Sequence, residues 1–252
     1  MKTVFINGGA GLIGAMVARK LLEKNEFRVV ILDSFVHYIS PLKNKIKNYQ
    51  DLRFQGIEDQ VIIERGDTTN PSHARRLISK YEPDYILHLA AMPLADLSNV
   101  HVEEAVQNIL LGTVNILEII ADLKCLKKFL YVSSSMIYGD FKTIPCPEDH
   151  PKRPKDIYGG SKFAGEIMTQ AFGNRFDIPY SIVRPSAVYG PYDVNRRVSQ
   201  IFVENALEGK PLRLDGGGKL MFDFTYVEDI ADGLILALLK EEAVGEEFNI
   251  TY

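Results

Sequence analysis

The sequence predicts an α/β fold: a parallel sheet flanked by helices, followed by a small C-terminal lobe that is either compact or incomplete. Three observations carry this expectation. Short apolar runs alternate with helix-period stretches along most of the chain. A glycine-rich turn stands between the first strand and the first helix. Of the 252 residues, 46% are apolar, enough to cover both faces of one such sheet. Together they describe a Rossmann-like architecture.

In chain order, residues 3–7, 27–32, 61–64, 85–88, 128–133 and 180–184 read as short buried strands. Their near-continuous apolar character suits strands covered on both faces. Residues 12–24, 72–80, 103–123 and 162–176 repeat apolar positions at helical spacing and supply the covering layers. The stretch 35–60 is different: long, mixed in charge and interrupted by Pro41 and Gly56. It suggests a short helix around 42–49, and its task is not legible. From about Val194 the alternation loosens into a helix over 197–208, a Gly216-Gly217-Gly218 turn, a strand over 222–227 and a helix over 228–239. Residues 248–252 read as a final strand that can return to the main sheet.

Composition narrows the function classes. Lys and Arg total 29 against 33 Asp and Glu, a formal charge of −4, and basic residues cluster only locally, at 43–47 and 151–155. That balance argues against nucleic acid as a partner. Cys125 and Cys146 are too few for a disulfide framework or a structural zinc site, so no metal is expected. The chain begins directly with a strand, and no apolar run reaches membrane-spanning length. A reduced, cytoplasmic protein without a membrane partner is the expectation.

Gly8-Gly9-Ala10-Gly11-Leu12-Ile13-Gly14 joins the first strand to the first helix. Glycines at 8, 11 and 14 permit a tight turn, and the free amides of a helix start can meet a pyrophosphate. A flexible turn is the other reading of a lone glycine run. Asp33, closing the second strand, can accept from both ribose hydroxyls and would repel a 2′-phosphate, which favours NAD over NADP. A cap or turn role for Asp33 is the alternative. Asp67 and Thr68 follow the third strand, and Leu89-Ala90-Ala91 follow the fourth. Those small residues leave room for a cofactor or for close packing.

Tyr158 and Lys162 lie four residues apart, hence on one face of a helix. The lysine charge would lower the cost of a phenolate, which otherwise forms near pH ~10. Such a base could take a hydroxyl proton while hydride leaves the same carbon. The Ser133-Ser134-Ser135 run stands at a strand end, the usual ligand edge of a parallel sheet, and one serine could hold the reacting oxygen. Backbone bonding in a turn is its plainer use.

These motifs, with His88-Leu89-Ala90-Ala91, Tyr138-Gly139, Arg184-Pro185, Tyr189-Gly190-Pro191 and Phe224-Thr225-Tyr226-Val227-Glu228-Asp229-Ile230, stand in one order along the chain. In that order the chain resembles extended short-chain dehydrogenases/reductases of the NAD-dependent nucleotide-sugar epimerase/dehydratase family. The resemblance implies catalytic roles for Ser134, Tyr158 and Lys162. It implies cofactor contacts from Gly8, Gly11, Leu12, Ile13, Gly14, Asp33, Asp67, Thr68, Leu89, Ala90, Ala91, Tyr158, Lys162 and Pro185. It implies substrate contacts from Ser134, Ser135, Tyr158, Tyr189 and Arg197, and a homodimer formed through the helices over 103–123 and 162–176. The implied reaction is C4 epimerisation of a nucleoside-diphosphate sugar through a transient 4-keto sugar. A 4-ketoreductase, a decarboxylase and a non-catalytic NAD-binding regulatory protein are the alternatives. Residues 1–185 are accordingly expected to form mainly the NAD-binding domain and 186–252 a mixed substrate-side region.

Several departures qualify the match. Ser135-Met136 stands where dehydratases of this kind carry an Asp-Glu pair, which disfavours dehydration. Ala187 and Phe222 replace an asparagine and an arginine that meet the substrate diphosphate, and Ile109 replaces an asparagine before Gly112-Thr113. A lost charge-assisted donor costs roughly 1.5–3 kcal/mol, which Arg196 or Arg197 could restore unless they merely solvate a helix start. Finally, such proteins usually continue well beyond the equivalent of Asn249-Ile250.

Overall fold

A computed structural model describes residues 1–38, 45–218 and 221–251. Seven parallel strands form one sheet in the order β3-β2-β1-β4-β5-β6-β9. They are β1 (Lys2–Asn7), β2 (Phe27–Asp33), β3 (Val61–Arg65), β4 (Tyr85–His88), β5 (Lys128–Val132), β6 (Tyr180–Pro185) and β9 (Glu247–Ile250). Period-two alternation sorts the side chains. Val4 and Ile6 face one core with α1 (Leu12–Glu23) and α9 (Val227–Leu239). Phe5 faces the other with α3 (Pro71–Tyr81) and α6 (Gly112–Ile120). The strand order reverses direction at β1, between β2 and β4, which opens a crevice at the carboxyl edge there.

Three expected elements differ. The single helix over 103–123 is instead α5 (Val102–Val106), a π-helical segment (Gln107–Leu111) and α6. Thr113 Oγ1 donates to Ile109 O at 2.6 Å inside this stretch, a back-bond that competes with the regular ladder. The helix placed at 162–176 begins earlier, as α7 (Ile157–Phe176), because Asp156 caps it by accepting from Gly159 N at 2.7 Å. The strand expected over 222–227 shortens to β8 (Thr225–Tyr226), paired with β7 (Val188–Tyr189) in a separate two-stranded sheet. Of the helix proposed near 42–49, residues 42–44 lie outside the described residues and 45–48 run through a bend and a turn; the helix here is α2 (Tyr49–Phe54), which begins at its last position. A further short helix, α4 (Ala95–Val100), lies after β4, and α8 (Val198–Leu207) buries none of its residues.

Buried charge sews β9 to the sheet. Arg184, fully buried on β6, donates from Nε and Nη2 to the two Glu166 oxygens, each at 2.8 Å, and from Nη1 to Tyr138 Oη at 2.8 Å. It also pairs with Glu247 of β9. Burial opposes the Arg184 charge, but its carboxylate partners hold its pKa above the ordinary value. Tyr138 Oη in turn donates to Asn249 Oδ1 at 2.8 Å. Among the described residues, no helix is long and apolar enough to cross a membrane.

Candidate active site

The turn after β1 is shaped by contacts that leave no space for side chains. Gly8 has φ +74, and a Cβ there would lie 2.7 Å from Ala90 N. A Cβ on Gly14 would lie 2.5 Å from Gly9 Cα, so α1 packs directly on the turn. Gly11 caps α1 without a side-chain bond, and no acidic residue occupies the first turn. The amides at this helix start are thus presented to an anion. Asp33 accepts from Ala10 N at 2.9 Å and Phe35 N at 2.8 Å. Burial pushes its carboxyl pKa up, while those bonds and Arg53 oppose the rise.

Gly8, Gly11, Leu12, Ile13, Gly14, Asp33, Asp67, Thr68, Leu89, Ala90, Ala91 and Arg197 all line one continuous cleft. A glycine cradle, a helix start and a strand-end carboxylate in one cleft fit a dinucleotide. The segment whose task the sequence left open supplies a wall, including Phe35, His37, Tyr38, Tyr49 and Arg53. One trace of this is present in the sequence: Tyr49 and Arg53 are four apart, and the guanidinium lies 4.8 Å from the ring centroid.

Farther along the sheet edge, Ser134, Tyr158 and Lys162 come together. Tyr158 sits in the first turn of α7, and Ser134 shares a side-chain hydrogen bond with it. Ser134 Oγ also accepts from Met136 N at 3.2 Å. Lys162 is buried, donates to Val132 O at 2.7 Å and lies 6.0 Å from the Tyr158 ring centroid. Burial lowers its pKa to about 7, against the pull of Glu166. Burial also raises the Tyr158 pKa, opposed by the Arg197 charge and the Ser134 bond. The Arg197 charge thus favours the phenolate, while Lys162 stands on the same helix face as Tyr158.

Arg197 donates to Val188 O and Pro93 O, both at 3.4 Å, and faces the Asp193 carboxylate at 3.9 Å. Arg196 turns away and donates to Glu204 at 2.6 Å. Ser135 is half-buried beside exposed Met136, and Pro185 ends β6. Tyr189 lies on β7, packed against Tyr226 and Phe224 with ring centroids 5.5 and 6.2 Å away.

Behind this edge His88 is fully buried, with Nδ1 3.2 Å from Asn7 Nδ2 and Nε2 3.1 Å from Thr113 Oγ1. The Thr113 hydroxyl proton is committed to Ile109 O, so the His88 proton resides on Nε2 and Nδ1 accepts from Asn7. Burial, helped by Lys162, lowers the His88 pKa to about 3.

Residues 4–251 match the sequence model of the NAD dependent epimerase/dehydratase family. The dTDP-D-glucose 4,6-dehydratase of Mus musculus is 31% identical over 252 residues, covering 99% of this chain and 68% of that protein. The dTDP-glucose 4,6-dehydratase of Haemophilus influenzae is 28% identical over 260 residues, with 99% and 74% covered. The crystal structure of UDP-glucuronic acid 4-epimerase from Bacillus cereus, in complex with UDP-glucuronic acid and NAD, superposes with a TM-score of 0.89 at 29% identity. That match covers 99% of this chain and 77% of the epimerase.

Proposed function

The chain belongs to the NAD dependent epimerase/dehydratase family, and from that premise we propose that it is a nucleoside-diphosphate-sugar C4 epimerase. It is an NAD-using enzyme, and the reaction assigned here proceeds through a transient 4-keto sugar. Bound NAD supplies a hydride acceptor and donor. Tyr158 takes the proton of the sugar 4-hydroxyl and returns it after the ketone has turned over. Ser134 holds that oxygen by its hydroxyl, and Arg197 favours the phenolate by its charge. Lys162, anchored on Val132 O, orients the ribose beside the reacting carbon. Gly8, Gly11, Leu12, Ile13, Gly14, Asp33, Asp67, Thr68, Leu89, Ala90, Ala91 and Pro185 hold the cofactor. Ser135 and Tyr189 border the sugar, and Arg197 also meets the diphosphate.

The observation that carries this reading is the meeting of Ser134, Tyr158 and Lys162 beside Ser135-Met136. With NAD as hydride acceptor and donor, the first three would serve the proton transfer that accompanies oxidation and reduction of a secondary alcohol. The neighbouring pair offers no acid and base for removing water, which favours epimerisation over the dehydration named for the two curated relatives. Residues 1–185 are assigned mainly to the cofactor and 186–252 to the substrate side. Exposed Val102, Leu111, Ile167 and Phe176 support a homodimer through the helices around α5–α7, which analytical ultracentrifugation tests directly.

The deciding experiment incubates the protein and NAD with a panel of nucleotide sugars, followed by NMR. Interconversion of C4 stereoisomers without net NADH consumption is expected. Net reduction identifies a ketoreductase, and carbon dioxide release a decarboxylase. Retained NAD without exchange at any sugar carbon leaves a binding protein and ends the epimerase reading.

A further inference from the structure

Arg53 is a cation with an unusual burden. Only 9% exposed, it donates from Nη1 to Ala10 O at 2.9 Å and from Nη2 to Tyr192 O at 2.8 Å. Those carbonyls stand 43 and 139 residues away in sequence. The first belongs to the glycine turn, whose Ala10 N–H is held by Asp33. The second belongs to the loop after β7, where Tyr192 takes φ +64, a left-handed conformation that a non-glycine residue adopts only when its surroundings impose it.

Arg53 is itself held from several sides. Arg19 Nη2 donates to Arg53 O at 3.0 Å, and the Tyr49 ring covers the guanidinium. Its charge interacts with Asp33 on one flank and Asp193 on the other. Asp193 is buried and faces Arg197, whose charge reaches Tyr158. A line of alternating charges thus runs from the ribose-facing carboxylate to the phenol: Asp33, Arg53, Asp193, Arg197. A guanidinium presents its donors in a rigid planar fork that fixes the directions of the two carbonyls it meets, whereas an ammonium carries its donors on one freely rotating nitrogen.

We propose that Arg53 is a positioning residue that clasps the cofactor-binding glycine turn to the 190–197 loop. Occupation of the turn by NAD is thereby transmitted to Arg197 and to the edge that handles the sugar. The clasp joins two segments that line the same cleft, so its test separates direct contact of NAD with the loop from transmission through Arg53. It rests on the substrate-side reading of that loop, but its test does not require turnover.

Hydrogen exchange followed by mass spectrometry, on the whole chain with and without saturating NAD, tests it. In the wild type, NAD is expected to slow exchange at 8–14 and also at 190–197, each about tenfold or more, a change of the size typical for site-to-site coupling. In Arg53→Lys, at NAD concentrations readjusted to saturation, protection at 8–14 returns while protection at 190–197 is lost. A merely structural role would alter the loop equally with and without NAD. Wild-type protection confined to 8–14 overturns the clasp without reference to any variant, as does full loop protection in Arg53→Lys. Absence of protection at both segments overturns the cofactor placement and the clasp together. Conversely, NAD-dependent loop protection in a protein that converts no sugar leaves the clasp standing and removes the epimerase assignment.

Discussion

The glycine turn and the region 186–226 border the same sheet edge but are built on opposite plans. In the turn, added Cβ atoms at Gly8, Gly9 and Gly14 would come within 3.0 Å of backbone or core side chains. Across the edge, α8 buries no residue, and Leu207, Leu214 and Met221 are 83%, 63% and 85% exposed. Backbone packing thus dictates the shape of the cofactor cradle. The region proposed for the substrate takes its form from side chains left largely exposed. A family can keep one cofactor under such an arrangement while changing the sugar, because only one wall is free to vary.

The largest break is expected at the seam between the two regions. Tyr158→Phe removes the proposed base and should lower sugar turnover by about 10²–10⁴-fold while NAD stays bound. Wild-type turnover with the true substrate would dismiss the base. Inside the cradle, Gly14→Ala forces a Cβ into Gly9, and denaturant unfolding should show a loss of about 1–3 kcal/mol together with weakened NAD binding. Unchanged stability and affinity would mean that the turn yields more readily than its packing indicates.

The sheet behind the cradle should respond to acid. The folded pKa of His88 lies near 3, below the ordinary 6.5, so between these values the unfolded chain binds a proton that the folded chain refuses. Stability is fully present above about pH 6.5 and falls below it by about 1.4 kcal/mol per unit until the ring protonates. Comparing urea midpoints of the wild type and His88→Asn from pH 7 to 4.5 isolates the effect; parallel curves would refute it. The smallest effect is expected on α8, where Leu207→Ser should shift stability by no more than about 0.5 kcal/mol. A thermal melt showing a large loss would reveal that this exposed leucine is covered in solution.

Much of the sheet was legible because strands buried on both faces leave continuous apolar runs, such as Phe129-Leu130-Tyr131-Val132. Residues proposed for the cofactor were legible where a single local motif both shapes the backbone and lines the cleft, as at 8–14. The break at 107–111 was not, since it involves a Thr113 hydroxyl and its His88 partner, joined only in the fold. Arg53 escaped for the same reason: its partners are remote, and only its spacing from Tyr49 hinted at a role. The balance of charge on Tyr158 was also hidden. Sequence spacing brings Lys162 near, but burial decides how much charge Lys162 keeps, and Arg197 arrives from a distant loop.

The enclosed His88 ring also gives the molecule an internal spectroscopic beacon. With its Nε2 proton held by Thr113 and sealed from water, that proton should exchange slowly and resonate apart from the backbone amides. Because β1, β4 and the π-helical segment all converge on it through Asn7, His88 and the Thr113–Ile109 bond, one NMR line can report whether the scaffold behind the reaction edge shifts during turnover.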